Sequence, residues 1–102
     1  MEIIGVTACP SGVAHTYMAA ESLQLAAEKA GVECHVETQG QIGIENVLTS
    51  ENIQKADVVI LTNDIGIKDE GRFKGKQVLR VSAGQLINKS PVIVKKIVEK
   101  FS

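Results

Sequence analysis

A cysteine stands at the head of a short turn near the N-terminus. Cys9 follows an apolar run, and Pro10, Ser11 and Gly12 lead from it into a long helical pattern. Backbone N–H groups converge at such a helix start, where the helix dipole favours anions and favours a thiolate over a thiol. The same N–H groups can hold the oxygens of a phosphoryl group on sulfur. The sequence therefore predicts that Cys9 is a nucleophile that accepts a phosphoryl group and passes it on.

The residues after Cys9 supply further groups suited to phosphate. Gly12 permits close approach of the backbone, and Ser11 and Thr16 carry hydroxyl donors. Two interpretations of His15 are open. It donates a hydrogen bond to phosphate or to an incoming domain, or it is an ordinary histidine on the helix surface. The predicted phosphate-binding loop comprises Pro10, Ser11, Gly12, Val13, Ala14, His15 and Thr16.

The spacing of this loop is similar to that of the protein tyrosine phosphatases. In those enzymes a cysteine is followed by five residues, an arginine and a serine or threonine, whereas here His15 takes the arginine position. Arginine clamps the transferring phosphoryl group through two parallel hydrogen bonds, which histidine cannot reproduce. A stable phosphocysteine carrier is therefore favoured over a hydrolase. The alternatives are a low-molecular-weight tyrosine-phosphatase-like hydrolase that uses Cys9, and a regulatory module in which phosphorylation of Cys9 is a signal.

Composition limits the class of protein. A chain of 102 residues that is 44% hydrophobic predicts one domain, residues 1–102. With 11 basic and 12 acidic residues the net charge is -1, which predicts no general affinity for nucleic acid or anionic lipid. The two cysteines are too few for a disulfide framework, so a reducing cytoplasm is expected. No metal or cofactor is expected. No apolar run approaches the roughly 20 residues that span a bilayer, so direct membrane insertion of the domain is not expected either.

Apolar β-branched runs alternate with helical patterns along the chain. The expected strands cover residues 3–6, 32–37, 58–61 and 77–81; the second alternates apolar and polar residues, as an edge strand does. The first helix should end at Gly31, a second should run from a cap at Thr49 or Ser50 to about Lys55, and a third should start with Ser90 as N-cap and Pro91 as its first residue. This alternation predicts an α/β fold with a parallel sheet covered on both faces.

Ligands of such sheets bind at the carboxyl ends of the strands. That edge should carry the Cys9 loop, an extended loop over residues 39–46, and the segment at 63–64. A partner-docking rim is predicted there, and Asp64 is read as a polar cap rather than a general acid. The rim residues are Gln39, Gly40, Asn46 and Asp64.

The remaining reactive or charged residues are expected to have mainly structural roles. Cys34 lies at an apolar position of the alternating strand and is expected inside, with a redox pair to Cys9 as the minor alternative. His35 is expected on the surface. Arg72, Lys74 and Lys76 form a basic cluster that either steers an acidic partner or is simply solvated.

The residues CPSGVAHT at positions 9–16 resemble the phosphorylation-site motif of fructose-type enzyme IIB domains of the bacterial sugar phosphotransferase system. Threonine is commoner in that family where Ser11 stands here, and the substitution keeps the hydroxyl. The blocks at 37–40, with Gly43 and Asn46, at 56–60, with Asp64, and at 72–76 are similar to the same family. The resemblance covers essentially the whole chain.

The resemblance implies an activity and two partners. Cys9 would take a phosphoryl group from a phosphohistidine of the IIA domain and deliver it to sugar, with fructose as the expected substrate, bound in the membrane-embedded IIC transporter. The domain would work in the cytoplasm at the inner face of the cell membrane, held there by IIC. The family also implies an open four-stranded parallel sheet of order 2-1-3-4 with helices on both faces.

Overall fold

The computed structural model describes residues 1–9, 13–40 and 43–101, and Val13 without its side chain. Strands and helices alternate along most of this length, as the sequence predicts. Residues 62–75, whose polar and glycine-bearing composition predicts a surface loop with one helical turn, contain a 3-10 turn, Glu70–Phe73. The other elements, in chain order, are β1 Glu2–Thr7, α1 Val13–Lys29, β2 Glu33–Gly40, β3 Gly43–Glu45, α2 Ser50–Lys55, β4 Val58–Thr62, β5 Val78–Val81 and α3 Ala83–Phe101.

The strands of the described segments form one sheet in the order β3-β2-β1-β4-β5. β2, β1, β4 and β5 are mutually parallel, which confirms the α/β class and the predicted order of the four parallel strands. Three expectations are wrong, namely the four-stranded sheet, the edge position of the second strand and the extended loop at 39–46, because a fifth described strand, β3, lies outside β2. Gln39 and Gly40 belong to β2, and β3 returns antiparallel beside them, with Gly40 opposite Gly43. Backbone pairing stabilises this hairpin, and its glycine-rich sequence carries no alternation that would signal it.

Helices cover both faces of the sheet. On one face, α1 and α3 pack over side chains that include Ile3, Val58 and Ile60. On the other, α2 and the 3-10 turn cover Ile4 and Val59. Because alternate side chains of a strand point to opposite faces, β1 contributes to both cores and lies at the centre of the molecule.

Helix α1 runs from the Cys9 loop back along the sheet. Its buried residues are small apart from Leu23; they include Ala19, Ala26 and Ala27, at the helical spacing by which the sequence predicts an apolar stripe. The helix ends as predicted at Gly31, whose φ is 74°. The N–H of Val32 donates to the carbonyl of Ala27 at 2.9 Å, which closes the helix end in the manner that a left-handed glycine permits.

Helix α3 begins well before the predicted start. Ser82 and Gln85 cap it reciprocally: the Gln85 N–H donates to Ser82 Oγ at 3.0 Å, and the Ser82 N–H donates to Gln85 Oε1 at 2.8 Å. Ser90 is therefore not the N-cap; it is buried inside the helix, and its hydroxyl donates to the Leu86 carbonyl. Pro91 is exposed within the helix, where its missing N–H costs one backbone hydrogen bond without ending α3. Within the described ranges no helix, α3 included, is both long and apolar enough to cross a membrane.

Candidate active site around Cys9

Cys9 lies just beyond the carboxyl end of β1, the central strand. The preceding residue is fixed to β4, since the Ala8 N–H donates to Thr62 Oγ1 at 2.9 Å and the Thr62 hydroxyl donates to the Ala8 carbonyl at 3.0 Å. Thr62 is buried at the end of its own strand. Two hydrogen bonds thus hold the start of the Cys9 loop against the neighbouring strand. Thr62 carries no signal in the sequence, because its role depends on pairing across 54 residues of chain.

The Cys9 thiol is half-buried and faces the first turn of α1. Its Sγ lies 3.8 Å from Nδ1 of His15, within the range of a hydrogen bond to sulfur. An imidazole N–H in this place can donate to a thiolate or to an oxygen bonded to the sulfur. His15 and Ala14 are exposed, so the site opens to solvent on the helix side. Of the predicted loop, Pro10, Ser11 and Gly12, and the side chain of Val13, lie outside the described residues.

Threonine hydroxyls lie beneath this helix start. Thr7, at the end of β1, donates from Oγ1 to the carbonyl of Thr16 at 3.0 Å and so ties α1 to the sheet. Thr38 is opposite Thr7 in β2. The hydroxyls of Thr16 and Thr38 are buried, and neither has a hydrogen-bond partner among the residues that the structure describes. Buried hydroxyls are usually satisfied, so a polar partner is expected for both.

The predicted docking rim is held by its own hydrogen bonds. The Gln39 amide donates to the Lys68 carbonyl at 3.1 Å and accepts from the Lys68 N–H at 2.9 Å, which joins β2 to the segment after β4. Gly40 pairs within the β2–β3 hairpin, and Asn46, with φ at 55°, turns the chain just after it. Asp64 accepts the N–H of Ala83 at 2.7 Å, so it caps α3, as the sequence reading favoured. A docking role for these residues stays a prediction.

A buried ion pair lies next to this rim. Glu37 is 1% exposed and accepts hydrogen bonds from both terminal nitrogens of Arg72, at 2.8 and 2.6 Å. It also accepts the Leu48 N–H at 3.0 Å and the Gln39 amide at 2.9 Å. Burial alone would raise the pKa of this carboxyl, but the hydrogen bonds from Arg72, Gln39 and Leu48 together lower it. The Glu37 carboxylate thus joins β2, the segment just before α2 and the 3-10 turn.

Most of the basic cluster predicted at 72–76 makes contacts within the protein itself. Arg72 is committed to Glu37, and Lys76 donates from Nζ to the carbonyls of Gln54 and Ala56 at the end of α2. Lys74 is exposed. The cluster is therefore mainly structural rather than a surface that steers a partner.

The second cysteine belongs to another part of the molecule. Cys34 is opposite Ile3 at the start of β1, so about 20 Å of strand separates it from Cys9. Burial raises the pKa of the Cys34 thiol to about 12. A disulfide between the two is excluded by this distance. The structural reading of Cys34 is confirmed, and His35 is exposed as predicted.

Comparisons with known proteins agree with the fold and show the family of the chain. A family model described as "PTS system, Lactose/Cellobiose specific IIB subunit" matches residues 4–96, nearly the whole chain. The chain belongs to the IIB family of the PTS, the sugar phosphotransferase system. A similar relative of this IIB domain is the "PTS system fructose-like EIIB component 2" of Escherichia coli K12. It is 58% identical over 96 residues, which cover 94% of this chain and 91% of that protein.

Further comparisons agree on the fructose type. A crystal structure of a domain from the fructose-specific IIABC component of Borrelia burgdorferi is 54% identical, with a TM-score of 0.87 over 93% of this chain and 90% of that one. The "PTS system fructose-specific EIIB'BC component" of Xanthomonas campestris is 46% identical over 94 residues, 92% of this chain but 16% of that longer protein. Although the family model carries the lactose/cellobiose name, the chain is therefore a fructose-type IIB domain, a phosphotransferase domain of sugar transport.

The fold alone is shared with a wider group. An arginine phosphatase has a TM-score of 0.54 at 16% identity, and an arsenate reductase has a TM-score of 0.56 at 12% identity. At identity this low, the similarity shows a shared arrangement of strands and helices but does not show shared chemistry.

Proposed function

We propose that this IIB domain is a phosphoryl carrier in which Cys9 takes a phosphoryl group from a phosphohistidine of a IIA domain and delivers it to sugar bound in a IIC transporter. The observation that carries the proposal is the position of Cys9 Sγ beyond the end of β1, 3.8 Å from Nδ1 of His15 in the first turn of α1. A nucleophile at a helix start, with a polar donor beside it and an open solvent side, suits transfer between protein partners. Membership of the fructose-type IIB family supports the same chemistry.

The first step is a displacement at phosphorus. The Cys9 thiolate attacks the phosphoryl group of the donor, an S–P bond forms, and the N–P bond breaks as the donor imidazole leaves with the electron pair and takes up a proton. The backbone N–H groups at the start of α1 and the loop Pro10, Ser11, Gly12, Val13, Ala14, His15 and Thr16 are proposed to bind the phosphoryl oxygens. In the second step a sugar hydroxyl gives up its proton to a base or to water and attacks the same phosphorus; an O–P bond forms, the S–P bond breaks, and the thiolate leaves with the electron pair.

The proposed partners follow from this chemistry and from the relatives. A IIA domain is the proposed donor, and the name EIIB'BC of the Xanthomonas campestris relative supports a IIC partner as the site of the acceptor sugar. Fructose is the proposed sugar, since the similar proteins are named fructose-like or fructose-specific. The domain would then act in the cytoplasm, at the inner face of the membrane through IIC.

The test is phosphorylation followed by intact mass analysis. The chain is incubated with phosphoenolpyruvate, the general phosphotransferase proteins and a fructose-type IIA protein, with a known IIB domain as positive control. We expect the mass to rise by one phosphoryl group, and Cys9→Ser to abolish this rise while leaving the circular dichroism spectrum unchanged. Cys34→Ser is the matched control and should be phosphorylated normally, because Cys34 lies near the starting ends of the parallel strands, away from Cys9.

Two outcomes would overturn the proposal. One is no gain in mass while the positive control is phosphorylated. The other is a gain that persists in Cys9→Ser but disappears in a histidine variant, which would move the acceptor. Steady release of phosphate from p-nitrophenyl phosphate by the isolated domain would instead favour the hydrolase that the sequence left as an alternative.

A further inference from the structure

A groove of about 300 Å³ lies between β5 and the second half of α3. It extends toward the starting ends of the parallel strands, where Val58 and Gln77 lie, whereas Cys9 follows the carboxyl end of β1. Two lysines, Lys96 and Lys100, also line it. The apolar side chains that line it include Val58, Leu79, Ile93, Ile97 and Phe101. The groove is therefore an apolar surface with positive charge, apart from the residues of the proposed phosphoryl transfer.

Strand β5 forms one wall of this groove and one edge of the sheet. Among the described strands it pairs with β4 alone, so its outer side presents backbone N–H and C=O groups. Val78 and Leu79 are each 37% exposed, high for apolar side chains of a strand. An exposed apolar edge strand is a template on which another strand can pair.

The charges on α3 indicate what kind of strand would fit. Residues three and four apart on a helix share a face, so Ile93 and Ile97 line the groove while Lys96 and Lys100 lie beside them. In the described part of the chain no carboxylate forms an ion pair with either lysine. The Lys100 ammonium lies 5.7 Å from the centre of the Phe101 ring, at the end of the groove. Two ammonium groups that form no ion pair among the described residues favour acidic side chains in a ligand.

We propose that this groove binds an extended acidic segment of a partner protein, which adds to β5 as a further strand. On the side facing α3, alternate residues of the segment would place apolar side chains against Leu79 and Ile97 and carboxylates near Lys96 and Lys100. A second copy of the chain fits poorly. In a symmetric pairing of β5 with β5, each copy presents the same patch, so the lysines of one copy would approach those of the other.

The experiment uses a short acetylated peptide as the probe, with threonine at every second position and glutamate and valine sharing the positions between. It is titrated into the ¹⁵N-labelled chain, and backbone amide shifts are followed by NMR. We expect saturable shifts confined to β5 and the second half of α3, and binding about tenfold weaker when lysine replaces glutamate in the peptide. A peptide with proline in place of the central threonine should bind weakly, because a strand needs that N–H.

Charge reversal tests the groove itself. The double variant Lys96→Glu with Lys100→Glu should reverse the preference and bind the lysine peptide better than the glutamate peptide. The matched control, Lys89→Glu with Lys95→Glu, changes two exposed lysines of α3 that do not line the groove and should keep the original preference. Cys9→Ser should also keep it, so failure of the proposed phosphoryl transfer would leave this result unaffected.

Three results would overturn the proposal. The first is the absence of shifts with the glutamate peptide at millimolar concentration, or shifts that map elsewhere. The second is equal binding of the proline peptide, which would exclude strand addition. The third is a dimer of the chain alone in sedimentation equilibrium that Leu79→Glu abolishes, since a second copy would then be the occupant of the groove.

Discussion

Cys9 and Cys34 show how surroundings set the properties of one residue type. Cys34 packs against the core beside α1 and α3, and burial raises the pKa of its thiol to about 12, so it carries almost no thiolate at neutral pH. Cys9 is half-buried at the start of a helix with an imidazole beside it. Of the two cysteines, Cys9 is therefore the proposed nucleophile. The sequence predicted these different surroundings, because a turn into a helix and an alternating strand are local patterns.

The contact between Cys9 and His15 leads to a prediction at the same scale. If the imidazole stabilises the transferring group, His15→Gln should slow phosphorylation of Cys9 by about 10- to 100-fold, since a positioned proton donor contributes on that order or more. The measurement is the rate of mass gain with phosphorylated IIA at one fixed pH.

The control for this experiment is the other histidine. His35 is exposed on β2, opposite Ile4 and away from the carboxyl ends of the strands, so His35→Gln should transfer at the normal rate. A His15→Gln variant with an unchanged rate would show that His15 is an ordinary surface residue, the second interpretation that the sequence allowed.

At the scale of elements, Glu37 is the residue that most affects how segments are joined. The alternating pattern of β2 placed it on a wet face, yet it is buried beneath Arg72, which comes 35 residues later. No pattern within β2 could have revealed a partner so distant in the chain. The same reason explains why β3 was not predicted: its three residues form a strand only through pairing with β2.

Removing the Glu37 charge should destabilise the fold. Glu37→Gln leaves Arg72 partly buried without its carboxylate, and we expect the free energy of unfolding in urea to fall by about 3 kcal/mol at pH 7. Because the folded state lowers the pKa of Glu37, its contribution is complete above the ordinary value of 4.5 and is lost as the pH falls further toward the folded value. The difference between wild type and variant should therefore shrink below about pH 4.5.

The matched control is an exposed carboxylate of similar chemistry. Glu51 pairs with Lys55 on the surface of α2, and Glu51→Gln should leave the free energy of unfolding nearly unchanged. If Glu37→Gln unfolds at the same urea concentration as this control, the buried pair makes no net contribution, and its role in joining β2 to the 3-10 turn would have to be abandoned.

Helix α3 shows the limit of local signals for element boundaries. Ser90 followed by Pro91 has the composition of a helix start, and that prediction was wrong because Ser82, Gln85 and Asp64 cap the helix earlier. Asp64 reaches α3 from the end of β4, so part of the true cap is nonlocal. The caps that are local, Gly31 after α1 and Thr49 before α2, were predicted correctly.

For the molecule as a whole, the two proposed surfaces differ in how they are built. The Cys9 site lies at the carboxyl ends of the strands and is proposed to use backbone N–H groups and hydroxyls, whereas the groove beside β5 is apolar with positive charge. A partner in the groove would leave Cys9 open to its donor and acceptor in turn. The parallel topology that was predictable from alternating strands and helices separates these surfaces.

The whole packing depends on a close approach of α1 to the sheet, which Gly5 permits. Aromatic residues are 3% of the chain, and alanines fill most of the α1 side of the core, so the helix lies near the strands. A Cβ at Gly5 would lie 3.1 Å from Cδ2 of Leu23 and 3.2 Å from the Ile60 carbonyl oxygen. The oxygen belongs to the neighbouring strand and cannot rotate away. Gly5→Ala should therefore lower the free energy of unfolding by about 1–3 kcal/mol, measured in urea by circular dichroism.

Gly66→Ala is the control for this prediction, since a Cβ there meets no heavy atom within 4 Å. Its midpoint in urea should stay the same or rise slightly, because alanine restricts the unfolded chain. Overlapping unfolding curves for Gly5→Ala and Gly66→Ala would show that α1 can move away from the sheet at little cost. In that case the hydrogen bond from Thr7 to Thr16, rather than close packing at Gly5, would be what sets the position of the α1 start beside Cys9.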